Sequence, residues 1–334
     1  MVSAVIFVAT SCVSPLTGFA FWETNLAYEG ESIYNYLQVK NLSDRTILST
    51  NVLFGVQSVT MKDKGLTGMY YDTALAAPAL ADNANSALIL GMGTGTYARQ
   101  LKQYYPKMNI TGVEIDQKIT DLAGEYFDEP ADIPVTTYDG RAWLAASHDK
   151  YDVIMVDAYQ DITIPFQMSS TEFFTMVREH LNPGGVMVVN MNMISDGQGS
   201  INEALSDTIA SVFGNGNTLT DDVPNTTNRE LFAKKPGSGS EENSMQQASK
   251  ALNLRETTYE RTGSEDLEWY MEEVASRFRK VNEPDSASTI LTDDKAPVEV
   301  LGMHAIDQII ADEAGPYRQI LKDEGFGGLL RAVQ

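Results

Sequence analysis

The stretch Ala87-Leu88-Ile89-Leu90-Gly91-Met92-Gly93-Thr94-Gly95 decides how this chain is read. An apolar run ends in three glycines at alternate positions, and an amphipathic stretch, Tyr97 to Tyr105, follows at once. That pattern is a buried strand, a tight turn and a helix start. Glycine at 91, 93 and 95 lets backbone approach a ligand closely, where a Cβ would intrude. The spacing G-x-G-x-G is not the G-x-G-x-x-G of dinucleotide enzymes, and no Gly-Lys-Ser/Thr of a phosphate loop follows. It fits a loop that holds the amino-acid end of S-adenosylmethionine (AdoMet). A purely structural turn is the alternative.

Working outward, strand and helix patterns alternate. Tyr70–Leu80 reads as helix, Ala87–Leu90 strand, Thr96–Tyr105 helix, Ile110–Ile115 strand, Ile119–Phe127 helix, Val135–Tyr138 strand and Gly140–Ala146 helix. Tyr151–Val156 is a fully buried strand, Glu172–Leu181 helix, Val186–Met191 strand and Ile201–Val212 helix. Thr218–Val223 and Arg229–Lys234 form a closing pair. This order predicts an α/β fold with a doubly wound, mostly parallel seven-stranded sheet of the Rossmann-like, AdoMet-dependent transferase type. Residues 65–236 make that domain. Residues 23–64 read as a small antiparallel β module, with strands at Ile33–Val39, Thr46–Leu53 and Val56–Met61 around a turn at Asn41–Asp44. Residues 237–250, rich in Gly, Ser, Glu and Gln, read as an exposed linker, and residues 251–334 as a helical extension.

In an open parallel sheet, ligands bind beyond the carboxyl ends of the strands. After the second strand comes Glu114, placed to accept both ribose hydroxyls, with Ile115 beside it and Asp116 as a helix cap. Asp139, after the third, can accept the exocyclic amine of an adenine, and Gly140 leaves room for the ring. Asp157, Tyr159 and Asp161 form an acidic loop after the fourth. Each acid also has a bland reading as a cap or a solvated strand end. Their order along the sheet, with the glycine turn, points to an adenosine-type ligand. Phe166-Gln167-Met168 is either a lid over the site or a structural turn.

Composition narrows the classes further. The 334 residues are 43% hydrophobic, enough for one large domain or two with real cores, and the net charge is −22. Such a surface repels phosphates, which excludes a nucleic-acid partner, and attracts a cationic substrate, although acidic surfaces also serve solubility alone. Cys12 is the only cysteine, and the three histidines (His148, His180, His304) lie far apart, so no metal is expected. Residues 2–22 carry no charge and suit one membrane span, with Trp22 at the interface; a buried remnant of a larger membrane part is the rival.

From Tyr34 to Phe232 the chain resembles the polyamine aminopropyltransferases, the spermidine synthase family, and among them the branch fused behind a membrane-embedded portion. The resemblance rests on Glu31-Ser32-Ile33-Tyr34-Asn35, Gly55-Val56-Gln57, Tyr70-Tyr71-Asp72, Leu90 to Gly95, Val113-Glu114-Ile115-Asp116, Tyr138-Asp139-Gly140-Arg141, Tyr151 to Asp157 and Leu181-Asn182-Pro183-Gly184-Gly185. It implies transfer of an aminopropyl group from decarboxylated AdoMet to a diamine such as putrescine, releasing methylthioadenosine. Asp157 is then the catalytic acid–base group, and Asp161, Tyr159, Tyr71 and Asp72 bind the amine. Asn35, Gln57, Gly91, Gly93, Thr94, Gly95, Glu114, Ile115, Asp139 and Gly140 hold the co-substrate. The resemblance also implies a cytoplasmic catalytic part and a homodimer. Four departures stand out. Thr94 occupies the place of the family's acid, which pairs with the free amine of decarboxylated AdoMet. Tyr71-Asp72 replaces His-Glu, Asn35 replaces a glutamine, and the acids after the fourth strand are one residue further apart. Two other readings therefore stay open: a methyltransferase or related transferase using intact AdoMet, which Thr94 favours, and a non-catalytic nucleoside-binding module.

Overall fold

The computed structural model describes residues 20, 23–51, 56–128, 130–158, 164–192, 199–237, 245, 249–284, 288–305 and 322. The proposed membrane segment at 2–22 lies outside the described residues except Ala20, as do Tyr159, Asp161 and residues 306–334 other than Lys322. Among the described residues, no helix is long and apolar enough to cross a membrane.

Two sheets form the fold. The smaller is a meander of β1 (Leu26–Glu31), β2 (Tyr36–Asn41), β3 (Arg45–Thr50) and β4 (Ser58–Met61), all antiparallel. Strand β1, Leu-Ala-Tyr-Glu-Gly-Glu, was not expected from sequence. It is an edge strand with no clean alternation of burial, and its partner β2 supplies its register. Ile33 and Tyr34, expected within a strand, instead sit at the β1–β2 turn, where Ile33 is 90% exposed. The Ser32 hydroxyl builds that turn by accepting from the Asn35 and Tyr34 amides at 2.9 and 3.1 Å.

In the larger sheet, strands β5 (Ser86–Leu90), β6 (Asn109–Glu114), β7 (Val135–Thr137), β8 (Tyr151–Val156) and β9 (Leu181–Asn192) run parallel. Strands β10 (Thr218–Asp222) and β11 (Asn228–Lys234) close it antiparallel. The seven expected strands are present. An eighth, β12 (Arg279–Lys280), adds an edge beyond β10; two residues long, it has too little pattern to be seen in sequence. The order across the sheet is β12-β10-β11-β9-β8-β5-β6-β7.

The helices between strands are α3 (Thr96–Tyr104), α4 (Gln117–Tyr126), α5 (Gly140–Ala146), α6 (Thr171–His180) and α7 (Ile201–Phe213), and α1 (Tyr70–Ala74) and α2 (Ala76–Leu80) precede β5. Ser170 and Ser200 cap α6 and α7 by accepting from amides three residues on, each cap contributing about 1 kcal/mol. One sheet face packs under α1, α2 and α3; the other, with Leu88, Leu90 and Ile154, packs under α5, α6 and α7.

Residues 251–277 form a helical pair, α8 (Ala251–Thr262) and α9 (Glu265–Arg277), rather than a solvated extension. Leu254, Leu267, Met271 and Val274 are fully buried against the α1–α3 side. Met245, inside the stretch expected to be an exposed linker, is also fully buried there. An apolar side chain in a polar stretch signals burial only once a neighbouring surface exists to receive it.

The small sheet is fastened to the large domain by polar contacts. Thr96 and Arg99 donate to the Val59 and Met61 carbonyls at 2.7 and 2.9 Å, and Ser32 and Asn35 donate to Asp116 at 2.5 and 3.0 Å. The β1–β2 turn thus stands over the carboxyl ends of β5 and β6.

Candidate active site

A cavity of about 320 Å³ opens where the sheet's strand order reverses, between β5 and β8, and the small sheet forms its far wall. Its lining includes Asn35, Gln57, Tyr71, Gly91, Gly93, Glu114, Ile115, Asp139, Gly140 and Asp157, so the fold gathers ten of the residues singled out from sequence. Thr94 and Gly95 are not on this wall. Gly95, with φ of 79°, is the N-cap of α3, and Thr94 is 1% exposed with its hydroxyl unpartnered among the described residues.

The glycine turn is tight for a reason within the protein. Gly91 has φ of +88°, and a Cβ there would lie 2.3 Å from the Asp157 carbonyl oxygen and 2.8 Å from the Ala158 amide nitrogen. The ends of β5 and β8 therefore pass backbone against backbone. This close approach puts Asp157 at the floor of the cavity.

Glu114 is buried and accepts from the Gly93 amide at 2.8 Å and the Asp116 amide at 3.0 Å. Burial raises its pKa, and these backbone bonds oppose the rise. Each oxygen keeps acceptor capacity toward the cavity. Asp139 caps α5 by accepting from the Ala142 amide at 2.8 Å, and Asp116 caps α4 through the Lys118 amide. Capping engages only one Asp139 oxygen, so that acid can cap and still line the cavity. Tyr138 and Ile115 form an apolar rim, 56% and 39% exposed.

Asp157 is half-buried at the cavity wall. Its Oδ2 accepts from the Tyr70 hydroxyl at 2.6 Å, and its Oδ1 from Asn190 Nδ2 at 2.8 Å. Burial pushes its pKa up to about 7, despite these two donors, and the Glu114 charge adds to the rise. A carboxylate poised there both binds a cation and accepts a proton near neutral pH. Sequence gives Tyr70 no role beyond its place in the Tyr70-Tyr71-Asp72 motif, and it leaves Asn190 unmarked. Tyr70 precedes the expected Tyr71 and stacks on it with ring centroids 4.0 Å apart. Asn190 lies at the end of the fifth parallel strand, and inspecting that strand end as the first four were inspected would have found it.

Asp72 does not reach the cavity. It is 1% exposed and accepts from the Thr67 amide and hydroxyl, the Gly68 amide and Gln100 at 2.5–2.9 Å. It organises the chain entering α1. Tyr71 does line the cavity, its hydroxyl donating to the Gln57 carbonyl at 3.1 Å. Phe166–Met168 is a 3-10 turn whose Gln167 and Met168 complete the wall. The Gln167 carbonyl is held by Arg141 at 2.7 Å, and Arg141 also forms two bonds to Asp293 at 2.6 and 2.7 Å. Among the described residues, no cluster of metal-ligating side chains occurs.

Residues 69–231 match the family model of the spermine/spermidine synthase domain. The chain is 99% identical over all its 334 residues to a protein of Bifidobacterium longum (strain NCC 2705) named a probable polyamine aminopropyl transferase, of which it spans 75%. A crystal structure of a probable spermidine synthase from Corynebacterium glutamicum ATCC 13032 superposes with a TM-score of 0.55 at 21% identity, covering 80% of this chain and 99% of that one. A spermidine synthase crystallised with the transition state analogue AdoDATO superposes with a TM-score of 0.52 at 19% identity, over 64% of this chain and 75% of that one. The solved structures bear out the fold class, and the near-identical relative carries the family: the chain belongs to the polyamine aminopropyltransferases, a family of transferases.

Proposed function

We propose that the chain moves an aminopropyl group from decarboxylated AdoMet to a small diamine such as putrescine, releasing methylthioadenosine. The observation that carries this reading is Asp157, a carboxylate of pKa about 7 at the floor of a cavity rimmed by nucleoside-type contacts. The amine arrives as an ammonium ion. Asp157 binds it and takes one proton, which frees the nitrogen lone pair. The nitrogen attacks the carbon next to the sulfonium, the new C–N bond forms as the C–S bond breaks, and the thioether leaves uncharged. Alignment of amine and sulfonium supplies the rest of the acceleration. Glu114 receives the ribose hydroxyls, Asp139 the adenine amine, and Ile115 and Met168 the faces of the ring. Asn35 and Gln57 border the same space. Tyr159 and Asp161 remain proposed amine contacts by family resemblance.

Intact AdoMet is the second reading, and Thr94 is the observation that favours it. The glycine loop presents no carboxylate at that position to select a donor with a free amine. Calorimetric titration of the full chain with decarboxylated AdoMet, AdoMet and methylthioadenosine separates the two. Tighter binding of decarboxylated AdoMet is expected, with turnover only when an amine is added. Preference for intact AdoMet would sink the aminopropyl reading.

Glu114→Gln gives a second test. It removes the charge from a paired acceptor, so methylthioadenosine affinity should fall roughly tenfold to a hundredfold, in line with charge-assisted bonds of about 1.5–3 kcal/mol. Unchanged affinity would place the ribose elsewhere. The division of the chain at residues 23–64 and 65–236, a cytoplasmic location, a homodimer and membrane association through residues 2–22 are proposals of the same kind. They rest on composition and family resemblance.

A further inference from the structure

Behind Asp157 the sheet carries a row of polar side chains across four adjacent strands. Val156 pairs with Val189, so Asp157 and Asn190 follow side by side at the ends of β8 and β9. Asn190 pairs with Glu230 on β11, and Glu230 with Asp221 on β10. All four share the face under α1 and α3, since Met155, Val188, Phe232 and Leu219, each two residues away, pack in that core. Directly opposed residues on neighbouring strands have Cβ atoms about 5 Å apart. The row is therefore continuous: Asp157, Asn190, Glu230, Asp221.

Three members of the row are satisfied. Asp157 accepts from Tyr70 and Asn190, Asn190 accepts from Asn228 at 2.8 Å, and Asp221 takes two bonds from Arg277 of α9, both at 2.9 Å. Glu230 is different. It is 0% exposed, and neither carboxyl oxygen has a hydrogen-bond partner among the described residues. An ionised carboxyl in such a place is costly, so the group is held as the neutral acid. Burial is the chief cause of its raised pKa, followed by the charges of Asp157 and then Asp221. Tyr97 of α3 also interacts with it, while Tyr70 of α1 sits on Asp157, and Arg277 and Tyr270 of α9 lie beside Asp221.

We propose that Glu230 is a second titratable group of the active site, coupled through the row to Asp157, and that its hold on its proton weakens when a cationic amine occupies Asp157. The inference rests on the amine reading of the site. The sign follows from the charges. In the free protein the Asp157 carboxylate opposes ionisation of Glu230. An ammonium ion on Asp157 cancels that part of the opposition, while burial, the larger cause, stays in place, and any charge gained at 230 lies behind the bound cation. The two acids titrate as a pair, and amine binding is linked to proton release. Glu230 touches no substrate and is a positioning residue that sets the charge behind the base.

The experiment compares the full wild-type chain with Glu230→Gln, a neutral replacement of the same shape. Putrescine is titrated calorimetrically into the methylthioadenosine-loaded protein in two buffers of different ionisation heat, which counts the protons released. Wild type should release more protons per amine bound than the variant, and the kcat/KM profiles of the two should differ in pH dependence. Equal proton counts with normal binding would overturn the inference, and so would a variant changed only in melting temperature. Absence of putrescine binding in both proteins would instead overturn the amine reading, and the inference with it. The free proteins provide a separate check. Because the folded pKa of Glu230 lies above its unfolded value, wild type should lose stability relative to the variant as pH rises above the ordinary glutamate range. A pH-independent difference would show that Glu230 is not held protonated.

Discussion

Replacing Asp157 by Asn is expected to lower kcat/KM by about 10²–10⁴-fold, the range for losing a positioned acid–base group. Methylthioadenosine affinity should stay within a few-fold of wild type, because the proposed amine site, not the nucleoside site, lies at Asp157. The same change should stabilise the free protein at alkaline pH. The folded pKa of Asp157 is about 7 against an ordinary aspartate value of 3.8. An acid raised in this way favours the folded state most below its unfolded pKa, and that advantage is lost as pH climbs from about 4 to about 7. At pH 8 the shift corresponds to at most about 4 kcal/mol, and to roughly half that once solvent at the cavity wall is allowed for. The substituted asparagine neither ionises nor loses the Tyr70 contact, so thermal unfolding should show the variant more stable at pH 8 and nearly equal at pH 4. Wild-type kcat/KM should rise with pH through about 7 as the base becomes available. A flat profile between pH 6 and pH 8, or an active Asn variant, would remove Asp157 from the mechanism. Gain of stability with loss of turnover is the signature of a group whose environment serves catalysis at the expense of the fold.

Gly91→Ala should be the most damaging addition of a single methyl group among the described glycines. Its Cβ would meet the Asp157 carbonyl oxygen at 2.3 Å and carbonyl carbon at 2.6 Å, and the backbone sits at φ +88°. Neither neighbour is a flexible side-chain tip, so relief requires the ends of β5 and β8 to separate. Strain of about 1–3 kcal/mol from the left-handed backbone adds to about 1–3 kcal/mol of overpacking. A loss of about 3–5 kcal/mol is a large part of a domain's net stability. The folded fraction should also lose activity, since the displaced backbone carries Asp157. Gly124→Ala in α4 is the control: a Cβ there meets nothing within 4 Å, and helix propensity predicts a gain of about 0.5–1 kcal/mol. Thermal unfolding of both variants, with turnover per folded molecule, checks the pair. Near-normal stability and turnover in Gly91→Ala would refute the backbone contact.

Gly91 also shows how a residue can be singled out for an incomplete reason. Read alone, alternate glycines imply that a ligand comes close to the backbone. In the folded chain, the first of them is required by another strand of the protein. The consequence for the site is the same, because that strand delivers the carboxylate.

Much of the architecture was legible in the residues because it depends on local period and composition. Buried parallel strands such as Tyr151–Val156 are nearly continuous apolar runs, and glycine turns and caps act over three or four residues. The strand-end rule then places Glu114, Asp139 and Asp157 on one edge without any coordinates. Long-range pairing is a different matter. Whether Asp72 faces the cavity or the Thr67–Gly68 amides depends on how α1 lands on the sheet, and no local pattern distinguishes these outcomes. Met245 reads as linker until α8 and α9 give it a surface to bury against. Tyr70 and Asn190 become partners of Asp157 only because β8, β9 and α1, separated by up to 120 residues in sequence, meet at one point. By itself the sequence determined the α/β fold and set Glu114, Asp139 and Asp157 along one edge of the sheet, since those follow from periodicity and chain order. Only the tertiary structure decided which acid is poised near neutrality and which is left buried without a hydrogen-bond partner among the described residues. Burial and cross-strand register set those pKa shifts, and both are properties of residues that are neighbours in space alone.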